Sequence, residues 1–136
     1  MKILIVDDDN AFTDIYSLCF SRAGYQVCVA SSGRDGIAQA KRELPDFILL
    51  DQVMPDMKGN DALRILKNDS ETQNIPVALF SNYSEGQLTE EGTNLGAVAY
   101  IFKYEVEPEE LINRITLMLE QLKSSKPPSS DNNNPK

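Results

Sequence analysis

Apolar residues fall in five short runs: Ile3 to Val6, Tyr25 to Ala30, Phe47 to Leu50, Pro76 to Phe80 and Val98 to Phe102. The runs are rich in β-branched and aliphatic residues and scarcely alternate with polar ones. Strands covered on both faces read this way. Between them the apolar spacing becomes helical. Phe12, Ile15, Cys19 and Ala23 share one face of a first helix. Ile37, Lys41 and Leu44 suggest a second, with Lys41 interrupting its stripe. Ala62, Leu63 and Leu66 mark a third, and residues near 85 to 95 a weakly patterned fourth. Leu111, Ile115, Met118 and Leu122 form the clearest stripe of all.

The punctuation agrees with this alternation. Gly24 and Gly96 stand where helix ends often adopt a left-handed residue. Ser84, with Gln87 three positions later, has the pattern of a capping box. Pro108 followed by Glu109 and Glu110 predicts a helix start. Strand and helix alternate through short connections, so the crossovers are expected to be right-handed and the strands parallel. The expected fold is α/β: one doubly wound five-stranded parallel sheet with five helices on its two faces.

Length and composition narrow the function. The chain has 136 residues, 41% hydrophobic and 25% charged, which suits one globular domain. After Leu122 the large apolar residues stop. Residues 1–122 are therefore expected to fold, and 123–136 to form a disordered tail or linker stub. No apolar run is long enough to span a membrane, and MKILIVDDD reads as a strand, not a leader. A cytoplasmic location is expected. There is no histidine, which excludes Ser-His-Asp and Cys-His catalysis, histidine zinc sites and a phosphohistidine carrier. The net charge of −8 gives no electrostatic case for binding nucleic acid or an anionic membrane. Cys19 and Cys28 fit neither a metal pair nor a disulfide framework and read as small buried side chains.

In an open parallel sheet, ligands bind beyond the carboxyl ends of the strands. The residues just past each expected strand are therefore the candidates. Asp7, Asp8 and Asp9 follow the first, Asp51 the third, and Ser81 and Asn82 the fourth; Tyr100 and Lys103 lie at the fifth. Clustered carboxylates repel one another unless a cation intervenes. With oxygen donors and no histidine, Mg²⁺ is the natural ion. A dianionic phosphoryl group would satisfy the metal, the Lys103 ammonium and the Ser81 hydroxyl together. Aspartates form acyl phosphates, and Asp51, alone at the central strand end, is the best nucleophile. Taken singly, each residue has a plainer reading. Asp9 and Asn10 suit a helix cap, Ser81 a turn, Lys103 a solvated charge, and Tyr100 a half-buried sheet tyrosine.

Over roughly residues 1 to 122 the chain resembles the receiver domain of bacterial two-component response regulators. The resemblance is carried by ILIVDDD at 3 to 9, by DQVMPDMKG at 51 to 59 with Met54, Pro55 and Gly59, by Ser81, and by AYIFK at 99 to 103. It implies a flavodoxin-like sheet in strand order 2-1-3-4-5. It implies that Asp51 is the phosphoacceptor, that Asp7, Asp8, Asp51 and the Val53 backbone carbonyl hold Mg²⁺, and that Lys103 pairs with phosphoryl oxygens. Ser81 and Tyr100 are the implied switch residues, acting on the face formed by the fourth helix, fifth strand and fifth helix. The implied partners are a sensor histidine kinase or histidine phosphotransfer protein as donor and a downstream protein target, with no nucleic acid and no membrane. The implied protein is a phosphorylated switch, not a turnover enzyme.

Two positions depart from the family pattern. Tyr104 follows Lys103 where the family usually has proline, so that bond is expected to be trans. Asn82 stands where alanine or glycine is commoner. Two other readings follow from the sequence: a degenerate receiver acting as a phosphorylation-independent interaction module, and a haloacid-dehalogenase-like phosphatase using the spacing of Asp7 and Asp9.

Overall fold

The computed structural model describes residues 1–82 and 86–125. Each apolar run becomes a strand: β1 (Lys2–Val6), β2 (Gln26–Ala30), β3 (Phe47–Asp51), β4 (Val77–Ser81) and β5 (Ala99–Phe102). The intervening helices are α1 (Asn10–Arg22), α2 (Gly33–Glu43), α3 (Gly59–Lys67), α4 (Gly86–Asn94) and α5 (Pro108–Ser125), with a 3-10 turn at Lys103–Glu105. The strands are parallel, in the order β2-β1-β3-β4-β5. This is the expected doubly wound sheet. Its three inner strands carry runs such as ILIV in β1 and FILL in β3 that are buried throughout, as two-sided coverage requires.

The sheet divides the core into two layers. On one face Ile3, Ile5, Leu49 and Phe80 pack with Tyr16 and Phe20 of α1 and with Leu111, Ile115 and Leu119 of α5. On the other, Leu4, Val6, Leu50 and Leu79 pack with Ala40 of α2 and Leu63 and Leu66 of α3. Alternate residues of each strand serve opposite layers, as the pleat dictates. Gly92 lets α4 lie close to the second layer. A methyl group there would meet Leu79 Cδ1 at 2.4 Å and Asn60 Oδ1 at 3.1 Å.

Three expected helix faces are corrected. In α1 the buried residues are Thr13, Tyr16 and Phe20, while Ile15 is 55% exposed. The aromatic stripe wins because its rings bury more area than Ile15 and Ala23 could. In α2 the buried face is Gly33, Gly36 and Ala40, with Lys41 and Leu44 exposed. Small residues are needed there, since a methyl on Gly36 would come within 2.7 Å of Val6 Cγ1. Leu44 ends the helix at φ 46° as its left-handed cap, which takes its side chain off the stripe. In α5, Leu119 is buried and Leu122 lies largely outside the core.

The glycine expectations hold: Gly24 and Gly96 have φ of 98° and 105°. Helix α5 starts at Pro108 with Glu109 and Glu110 in its first turn. It runs to Ser125, and residues 126–136, most of the expected tail, lie outside the described residues. So does Ser84 of the expected capping box. Among the described residues no helix is long and apolar enough to cross a membrane.

Candidate functional site

The three inner strands and β5 end at one rim of the sheet, and short turns there hold the polar groups. Asp7 follows β1; its backbone N–H donates to the Ala30 carbonyl at 3.0 Å, and its Oδ1 accepts the Asp9 N–H at 3.0 Å. These bonds fix a carboxylate that is only 2% exposed. Asp51 is the last residue of β3 and is 7% exposed. Asp8 is exposed. One oxygen from each of Asp7, Asp8 and Asp51 lies within 4.8 Å of the others. Lys103, just past β5, places Nζ 2.5 Å from Asp7 Oδ2 and 3.4 Å from Asp51 Oδ1. A cleft of about 250 Å³ opens at this point, lined by Asp7, Asp8, Asp9, Asp51, Val53, Asn82 and Lys103.

The turn after Asp51 is pinned from both ends. Gly59, the first residue of α3, donates its N–H to the Gln52 carbonyl at 2.8 Å. Val53 bridges to Lys58. Asp56 accepts the Gly33 and Arg34 N–H groups, each at 2.9 Å. It thus serves the amino end of α2 from a distant loop, and those bonds hold its carboxyl below the usual carboxylate range. Asp9 plays the plain role expected of it: its side chain caps α1 by accepting the Phe12 N–H at 3.2 Å.

The charges are unbalanced. Burial and the neighbouring Asp7 push the Asp51 carboxyl up to about 6, against the downward pull of Lys103. Three carboxylates and one ammonium leave net negative charge in a partly desolvated cleft. The donor set is all hard oxygen, with no thiol or imidazole, and a small divalent cation such as Mg²⁺ fits it. The electrostatics predict a pH signature in metal-free buffer. The raised Asp51 group binds its proton more tightly folded than unfolded, so stability rises as pH falls from about 6 toward the ordinary carboxylate value. Asp51→Asn is expected to raise the thermal midpoint at neutral pH and to flatten that part of the curve. Thermal unfolding at a series of pH values checks it.

The two expected switch residues lie outside the cleft lining. Ser81 ends β4, fully buried, beside Phe102 in register and one residue past the partner of Asp51. Tyr100 is half-buried on β5, its ring 5.4 Å from that of Phe102. Its hydroxyl accepts from Gln52 Nε2 at 3.2 Å. Sequence reasoning missed Gln52. This residue directly follows Asp51, is wholly buried, and also exchanges bonds with Asn60: Nε2 donates to Asn60 Oδ1 at 3.0 Å, and Oε1 accepts the Asn60 N–H at 2.9 Å. Asn60 Nδ2 donates in turn to Glu91 Oε1 of α4 at 2.8 Å, and Glu91 meets Arg64 at 3.4 Å. A polar chain therefore joins the end of β3 to Tyr100, α3 and α4. The peptide bond before Tyr104 is trans, as expected.

Comparison with known proteins agrees with this architecture. The family model for the response regulator receiver domain matches residues 3–116. Protein PilH of Pseudomonas aeruginosa is 38% identical over 120 residues, which cover 87% of this chain and 97% of PilH. The DNA-binding dual master transcriptional regulator RpaA of Synechocystis is 35% identical over 118 residues; the match covers 87% of this chain but only 48% of RpaA. Among solved structures, a CheY-like response regulator receiver domain protein from Methanospirillum hungatei superposes with a TM-score of 0.85 at 29% identity, covering 92% of this chain and 98% of that one. Strand order, the acidic rim with its opposed lysine, and these matches converge: the chain belongs to the response regulator receiver domain family of two-component systems.

Proposed function

We propose that the chain is a phosphorylated switch in which Asp51 accepts a phosphoryl group from a phosphohistidine on a sensor kinase or histidine phosphotransfer protein. The observation that carries this reading is the meeting of Asp7, Asp8, Asp51 and Lys103 in one cleft. Asp7, Asp8, Asp51 and the Val53 carbonyl would hold Mg²⁺. When bound, the ion supplies neutralisation of phosphoryl and carboxylate charge. An Asp51 carboxylate oxygen attacks phosphorus in line with the donor imidazole; a P–O bond forms as the P–N bond breaks, and the leaving imidazole takes up a proton. Such transfer needs positioning and charge balance more than covalent assistance. Lys103, buried beside Asp51, meets the equatorial phosphoryl oxygens. The reaction stops at the acyl phosphate, so the protein is a switch rather than a turnover enzyme.

The added dianion then draws on Ser81 and Lys103. Tyr100 is coupled to the same rim through Gln52, and its movement alters the face formed by α4, β5 and α5. A downstream protein target reads that face in the cytoplasm; neither nucleic acid nor membrane is bound by this chain. The Tyr104 departure favours a degenerate module only if Lys103 misses the cleft, and its 3.4 Å approach to Asp51 argues for a working acceptor.

Incubation with acetyl phosphate and Mg²⁺, followed by intact mass, tests the reading. The parent is expected to gain one phosphoryl group, and Asp51→Asn none. No gain in the parent would leave the interaction module as the better account.

A further inference from the structure

Lys103 has no proline after it to fix its path, and no cis bond redirects the chain. Its ammonium is nevertheless held at the cleft with a side chain only 8% exposed. Carboxylates account for one side of it. On another lies the Phe12 ring, its centroid 4.4 Å from Nζ, with the Phe80 ring at 5.7 Å. Phe12 is itself immobilised. Its N–H is tied to the Asp9 cap. Its ring stacks on Tyr16 at 4.2 Å and leans on Phe80 at 5.1 Å, while Tyr16 meets Phe80 edge-on at 5.7 Å. Two rings, Phe12 of α1 and Phe80 of β4, thus face one ammonium, with Tyr16 packed against both.

We infer that Phe12 is a positioning residue for phosphoryl transfer: its ring face seats the Lys103 ammonium beside Asp7 and Asp51. The chemistry suits the task. A ring attracts a cation through its quadrupole, most strongly where water is excluded. It does so without claiming an N–H by a directional bond, so the donors stay turned toward Asp7, Asp51 and the incoming oxygens. A polar side chain in its place would compete with the phosphoryl group for those donors. The inference rests on the proposed phosphoacceptor role.

The test uses the full chain with fluorinated phenylalanines at position 12, alongside Phe12→Leu and Phe12→Tyr. Successive ring fluorination weakens the quadrupole at nearly constant volume. The acetyl phosphate labelling rate at saturating Mg²⁺ is expected to fall stepwise along the fluorinated series, to fall about tenfold in Phe12→Leu, and to recover in Phe12→Tyr. Mg²⁺ affinity should stay within about twofold, because no ligand changes. A second readout needs no phosphorylation: the Lys103 ε-methylene resonances should carry an upfield ring-current shift that Phe12→Leu largely removes, leaving the smaller share of the more distant Phe80 ring. A labelling rate indifferent to fluorination, or Lys103 resonances the same in parent and Phe12→Leu, would overturn the seat. If acetyl phosphate labels neither parent nor variants, the phosphoacceptor reading fails, and the resonances still decide whether the ring holds Lys103.

Discussion

Lys103→Met is expected to slow phosphoryl uptake by roughly 10²- to 10³-fold, the usual cost of removing one preorganised charge-stabilising group from an acyl or phosphoryl transfer site. Methionine matches the lysine stem and packs well against aromatic rings, so Phe12 and Phe80 keep a neighbour and the loss is one of charge. The same change has a second consequence. Asp7 and Asp51, 2% and 8% exposed in their side chains, would face each other without the ammonium. Leaving buried charge unpaired costs about 3–5 kcal/mol at most, less whatever is recovered when one carboxyl takes a proton. Added Mg²⁺ should therefore raise the thermal midpoint of Lys103→Met more than that of the parent. Labelling time courses and melting curves with and without Mg²⁺ measure both effects. Equal responses to Mg²⁺ would mean that Lys103 contributes little to the charge balance of the cleft.

Gly59→Ala, at the first residue of α3, should be a damaging addition of a single methyl group. The new carbon would sit 2.4 Å from the Asp51 carbonyl oxygen and 2.9 Å from Gln52 Cα. Both are backbone atoms of the segment that carries the acceptor, so neither can swing aside. The expected result is a loss of about 3 kcal/mol by overpacking, with slower acetyl phosphate labelling because the end of β3 moves. Gly33→Ala provides the contrast. Its added carbon meets Met57 Cγ at 2.4 Å and Sδ at 2.7 Å, which belong to a flexible side chain. Met57 can rotate away, and the change should cost no more than about 1 kcal/mol. Urea titration of the two variants measures the difference. Similar losses would show that Met57 is as rigid as backbone.

Sheet and rim were readable in the sequence for a physical reason. Parallel strands buried on both faces leave near-continuous apolar runs, and ligand groups in such sheets stand directly after them. Asp7, Asp8, Asp51 and Lys103 could thus be assigned to one edge before any coordinates. Helix faces were harder. Ile15 and Cys19 have the right spacing for a buried stripe, yet α1 turns Tyr16 and Phe20 inward because they are larger. Helix α2 defeats a hydrophobicity reading altogether, since glycine and alanine form its contact face. The contacts missed at the site share a different cause. Gln52 and Tyr100 are 48 positions apart, and Asn60 meets Glu91 across 31. No local pattern records such meetings. A faint signal existed only for Gln52, an uncharged polar residue directly after a buried strand end.

The two partners of the shortest ion pair among the described residues, Asp7 and Lys103, are separated by 96 positions. During synthesis from the amino end, every acidic group of the rim is made long before the cation that offsets it. A partly emerged chain that has paired β1 with β3 holds Asp7, Asp8 and Asp51 together with no counter-charge. Pairing of β5 delivers that charge to the edge of the sheet, so electrostatic attraction and strand pairing favour the same step. Only a chain in which β5 has docked carries both signs of charge at this rim.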